Sequence, residues 1–122
     1  MGAPLPSLVA HVLELLEPLG PARARAMMGG WMFHLRGLPV ALIADERLYL
    51  KVDALTREAF AEAGGEPFTY ARGRRRIEFS YWSPPDGALD GAEAMGPWAE
   101  KALAAAWRSR RSSRARSGPR RR

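Results

Sequence analysis

The chain has 122 residues, 47% of them hydrophobic, a net charge of +6 and no cysteine. That length suggests one domain with a conventional core, and the lack of Cys excludes a disulfide framework, a Cys-ligated zinc site and a thiol nucleophile. No apolar run approaches the ~20 residues a membrane-spanning helix needs, and Met1-Gly2-Ala3-Pro4-Leu5-Pro6 lacks the basic and apolar regions of a signal peptide, so a cytoplasmic protein is expected.

Ser7 reads as an N-cap, and Leu8, Val9, Val12, Leu13, Leu16 and Leu19 recur at helical spacing until Pro18 and Gly20-Pro21 stop the pattern. The stretch Arg23 to Gly30 is short and ambiguous, and it leads into a strand, Trp31-Met32-Phe33-His34-Leu35. Arg36-Gly37 is a turn candidate before the apolar run Val40 to Ala44, and Asp45-Glu46 turns the chain again. In Arg47-Leu48-Tyr49-Leu50-Lys51-Val52 a period of two indicates a strand with one face buried. Asp53 or Thr56 caps a short helix with Leu55, Ala59, Phe60 and Ala63, ended by Gly64-Gly65. A second β pair follows: Pro67 to Tyr70, a turn around Gly73, then Ile77 to Ser83 with Ile77, Phe79 and Tyr81 on one face. Asp90 and Glu93 have capping-box spacing and open a last helix bearing Met95, Trp98, Ala99, Ala102, Leu103, Ala106 and Trp107. The order α-β-β-β-α-β-β-α predicts an antiparallel sheet packed by helices, the α+β class.

The charge divides at Trp107. Residues 1–107 hold eleven Lys and Arg against thirteen Asp and Glu, a net of −2, and the last fifteen residues hold eight Arg and no acid. The expected organisation is therefore a domain over residues 1–107 and an Arg-rich tail over residues 108–122. The tail buries too little apolar surface to offset its ordering entropy and is expected to be disordered when free.

Several segments, in order, resemble the TfoX (Sxy) N-terminal domain family: Arg25-Ala26-Met27-Met28-Gly29-Gly30, Leu42 through Asp53 with Tyr49 and Lys51, Gly65-Glu66-Pro67-Phe68-Thr69-Tyr70, Ser80-Tyr81-Trp82, and the Trp98-to-Ala106 helix. The resemblance implies an α+β sandwich, a role connected with regulating bacterial competence genes, and no recognised catalytic residues. The chain departs from the family in Met28, where members usually carry an aromatic. It also carries an arginine tail in place of the C-terminal domain of the founding regulators.

No Asp–His–nucleophile arrangement or His-x-x-x-His spacing surrounds His11 or His34, so neither catalysis nor a resident metal or cofactor is expected. Asp45, Glu46 and Asp53 are read as turn and cap residues rather than cation ligands. Gly29-Gly30 either lets a phosphate approach the backbone, with Lys51 and Arg25 completing a small-ligand site, or allows positive φ or a close backbone crossing. The second account is simpler, because no Lys-Ser/Thr follows the loop.

Arg72-Gly73-Arg74-Arg75-Arg76, near Tyr70, Tyr81 and Trp82, is either a solvated hairpin turn or a nucleic-acid patch with stacking rings. Arg108, Arg110, Arg111, Arg114, Arg116, Arg120, Arg121 and Arg122 attract phosphates without reading sequence. Acidic lipid headgroups and a purely solubilising role are the other readings of the tail. The sequence expectation is a non-catalytic regulatory or adaptor domain with an unidentified protein partner and tail-borne nucleic-acid affinity. A homodimer through a sheet edge or through Trp31, Trp82 and Trp98 is a further option.

Overall fold

The computed structural model describes residues 5–27 and 29–117. Met28, the opening residues 1–4 and the arginines Arg120, Arg121 and Arg122 lie outside the described residues. The chain runs α1 (Ser7–Leu16), a 3₁₀ turn (Glu17–Leu19), β1 (Ala22–Met27), β2 (Gly30–Leu35), β3 (Leu38–Ala44), β4 (Arg47–Lys51), α2 (Arg57–Glu62), β5 (Pro67–Arg72), β6 (Arg75–Trp82), a second 3₁₀ turn (Asp86–Asp90) and α3 (Ala92–Ser117). The six strands form one antiparallel sheet in the order β1-β2-β3-β4-β6-β5, and the α+β class holds.

One strand more is present than the sequence pattern gave. Ala22 to Met27 pairs along its whole length with β2. The small residues Ala22 and Ala24 turn toward the core and Arg23 and Arg25 away from it, a period of two written in weak strand formers. Three turns expected from sequence close hairpins. Arg36 and Gly37 have φ of 53° and 77°, Asp45 and Glu46 have 52° and 61°, and Gly73 has 62°. The first two pairs meet the double positive φ that a two-residue type I′ hairpin demands.

α1 and α3 pack on one face of the sheet. Val9, Val12, Leu15 and Leu16 of α1 meet Phe33, Leu35, Val40 and Leu50 of the strands and Met95, Ala99, Ala102 and Ala106 of α3 in one buried cluster. The short α2 belongs to the same layer, because Phe60 is wholly buried there with the Trp98 ring edge-on at 4.9 Å. Leu55, expected on the apolar side of α2, instead lies in the preceding turn and is exposed. α2 ends in paired glycines as expected. The Gly65 amide donates to the Phe60 carbonyl and the Gly64 amide to that of Ala61, the two bonds of a Schellman motif, with Gly64 at φ 90°.

Two caps are displaced from their sequence positions. Pro6 occupies the N-cap of α1, making Ser7 the first helical residue. Asp90 closes the second 3₁₀ turn, so the first carbonyl bonded into α3 is that of Gly91, which accepts from the Met95 amide.

α3 also crosses the expected boundary at Trp107 and ends at Ser117, twenty-six residues in all, or about 39 Å of helix. Arg is a good helix former, and cations at a helix C-terminus complement its dipole, so a helix nucleated in the core propagates into the basic segment. Trp107 itself is 52% exposed. With Arg36, Leu38, Glu100, Leu103, Ala104 and Arg110 it lines an open groove of about 470 Å³ beside the β2–β3 turn. Trp31, Trp82 and Trp98 are each partly buried and pack against the core.

Candidate binding surfaces

Strand register sorts the remaining side chains. Leu48 and Leu50 of β4 are buried beneath the helices, so Arg47, Tyr49 and Lys51 point to the opposite, open face. Lys51 lies opposite Tyr81, and Leu50 opposite the core-packed Trp82, which puts Phe79, Ile77 and Arg75 on the open face with Tyr81. Tyr70 pairs with Ile77 and Arg72 with Arg75, so they share it. Ring contacts confirm the assignment. The Phe68 centroid is 5.2 Å from that of Tyr49 and 5.3 Å from that of Phe79, a ladder of three rings across β4, β5 and β6.

β6 pairs with β4 only at Tyr81 and Trp82, beyond which the β5–β6 hairpin extends past the end of β4 and exposes most of its residues. Tyr70 is 56% and Phe79 40% exposed. Among the described strand positions of β4, β5 and β6 that face this way, every residue is aromatic, basic or Ile, and none is acidic. Glu66, just before β5, is bonded by Arg47 at 3.1 Å.

Lys51 donates to Ser80 Oγ at 2.6 Å and lies 5.2 Å from the centre of the Tyr81 ring. Burial depresses its pKa, partly countered by Asp53, and burial raises that of Tyr81.

Of the residues singled out by sequence, Tyr49, Lys51, Phe68 and Tyr81 are thus brought together. Arg25 and Met27 share the open side of the sheet but sit on β1, three strands and roughly 14 Å from β4. Lys51, Arg25 and the Gly29-Gly30 turn therefore do not converge on one ligand pocket. Both glycines have backbone reasons instead. Gly29 has φ 81°, and a Cβ on Gly30 would collide with the Ile43 carbonyl. His34 turns away from the core between buried Phe33 and Leu35, as expected, and His11 Nε2–H donates to the Leu89 carbonyl at 2.7 Å, tying α1 to the second 3₁₀ turn.

Asp53 joins the sheet to the basic end of α3. Its carboxylate accepts from the Leu55 and Thr56 amides and from Thr56 Oγ1, while its own amide donates to Thr56 Oγ1. It also takes a two-pronged contact from Arg108, Nε at 2.6 Å and Nη2 at 3.2 Å. Arg108, assigned from composition to the tail, is therefore a structural residue. Arg110 and Arg111 are exposed on the next turn, and the backbone of Arg114 and Arg116 continues the helix.

The Arg108 hydrogen bond, more than any other influence, holds the Asp53 carboxyl below its usual range. A depressed carboxylate pKa adds stability that is complete above the unfolded value and lost as pH falls through the folded one. Asp53→Asn keeps an acceptor for the amides but removes the charge. It is expected to lower stability by about 1 kcal/mol at neutral pH, a figure reduced for the 38% exposure of the Arg108 side chain. In thermal melts the gap from the native chain should close in acid, as pH falls below the ordinary carboxylate range and through the lowered Asp53 pKa. A gap that persists unchanged in acid would contradict the ion pair's role.

The antiparallel sheet thus carries its helices on one side and an aromatic, basic face on the other. A comparison with protein families matches residues 14–106 to the TfoX N-terminal domain, and the chain belongs to that family. The matched span begins within α1 and ends within α3, just before Trp107, so the arginine-bearing turns of α3 lie beyond it. A search of curated proteins gave no match. Among the described residues no helix is long and apolar enough to cross a membrane.

Proposed function

We propose that the chain is a non-catalytic regulatory or adaptor domain, in the competence- or transcription-related setting its family suggests. In this reading it works through contacts with a protein partner, and the basic end of α3 adds sequence-independent affinity for nucleic-acid backbones. The observation that carries the reading is the continuity of α3. Ala99, Ala102 and Ala106 are buried in the core, Arg108 is fixed by Asp53, and the next arginines extend from that anchored base. A charged helix so held meets phosphates with less ordering cost than a free tail.

The seven arginines that follow Ser109 repel one another along the chain. Phosphates would relieve that repulsion.

The test is duplex-DNA binding across a salt series by the full chain and by a chain ending at Ser109, which keeps the Arg108 contact. Seven arginines follow Ser109. If all engage the duplex, log K falls against log[salt] with a slope of about −6. The shortened chain is expected to lose that steep component. Equal binding and equal slope in both chains would remove the arm from the account.

A further inference from the structure

We propose that the open face of β4, β5 and β6 is a second, separate site, which binds single-stranded nucleic acid by stacking bases on its rings. The evidence is geometric. Tyr49, Phe68 and Phe79 form a tilted ladder with centroids just over 5 Å apart, and the exposed Tyr70 extends it along the hairpin. Ring faces of this kind accept any base, because every base presents a π surface. A four-stranded sheet that displays aromatics for stacking is also a known solution to single-strand RNA recognition.

Charge complementarity decides the occupant. Lys51 lies at one end of the rings, Arg72 and Arg75 lie toward the hairpin tip, and no carboxylate stands between them among the described strand positions. The nearby Glu66 is held by Arg47. A second copy laid on this face would bring cations against cations with nothing to neutralise them. A polyanion with flat apolar groups satisfies both features of the surface.

A duplex keeps its bases stacked inside and offers the rings only backbone, so it gains nothing from them. The site is independent of the α3 arm, since the helices pack on the opposite side of the sheet.

The test uses the full chain, a labelled twelve-nucleotide single strand (as DNA and as RNA) and the duplex of the same sequence, at one fixed salt concentration. Tyr70→Ala and Phe79→Ala remove exposed rings, and a melting curve for each variant checks that the fold is kept. The expected result is about a ten-fold or greater loss of single-strand affinity in the double variant, with duplex affinity within two-fold of the native chain. Arg75→Gln should weaken single-strand binding and reduce its salt slope by about one.

Unchanged single-strand binding in the ring variants would overturn the proposal. An equal loss on single strand and duplex would do the same, because it would reveal a general electrostatic effect. Loss of self-association, or of binding to anionic vesicles, with oligonucleotide binding intact would assign the face to another occupant and likewise overturn it. Ring-dependent single-strand binding without any duplex binding would support this site while removing the proposed role of the arm.

Discussion

Gly65→Ala is expected to destabilise the domain by about 3 kcal/mol, and no rotamer change can relieve the strain. A Cβ at this position would collide with the Ser83 carbonyl oxygen and lie 2.9 Å from that of Phe60. Both are backbone atoms in segments held by hydrogen bonds. The Phe60 carbonyl accepts from Gly65 itself, and Ser83 is tied to Glu66 twice, its amide donating to the Glu66 carbonyl and its Oγ accepting from the Glu66 amide. To admit a methyl group, either the C-terminal turn of α2 or the end of β6 must move, and that end holds Trp82 against the core. Urea midpoints decide the matter. A Gly65→Ala midpoint close to that of the native chain would show that the approach of the two backbones is looser than described.

Phe60→Ala should be at least as damaging, at about 3–5 kcal/mol. Phe60 is fully buried and is the buried residue of α2, so its ring is the main apolar attachment of that helix. Its loss would leave the Trp98 indole facing a cavity where an edge-on ring now lies. Phe60→Leu, which fills most of the space, should cost about 1.5 kcal/mol or less. The near-ultraviolet circular dichroism of the alanine variant should change with the stability, because an indole loses its aromatic neighbour. A stable alanine variant with an unchanged spectrum would mean that α2 is held by its backbone bonds alone.

Much of the fold is written locally and is legible there. Leu48, Leu50 and Val52 alternate with polar neighbours, and β4 forms with those three buried. Gly37, Asp45 and Gly73 are residue types that hairpin turns favour, and each lies in a turn that closes one, with Arg36 and Glu46 drawn into positive φ beside them. β1 was harder to see because Ala and Arg have little strand preference, so only the alternation across Ala22 to Met27 marked it, and its stability comes from pairing with β2. α3 continues past the compositional break at Trp107 to Ser117. A shift in composition at Trp107 marks where burial stops, not where hydrogen bonding stops. The Arg108 contact with Asp53 spans fifty-five residues and has no local signature.

The open face shows the same limit. Ile77, Phe79 and Tyr81 plainly share a side of their strand, and the basic run beside them was visible. That this side is the one away from the helices follows only from the pairing of Leu50 with Trp82, which turns the indole to the core and Ile77, Phe79 and the buried Tyr81 to the other side. Tyr49 and Phe68 join the ladder because β4 lies next to β6 rather than β5, a crossover the local pattern does not encode.

The most direct test of the central claim is an amide NMR titration of the full chain with a short DNA duplex at low salt. The account predicts shifts concentrated in α3 beyond Trp107, fading as salt is raised, with little change in β1, β2 and β3. Shifts centred on those three strands, or none at stoichiometric duplex, would contradict it.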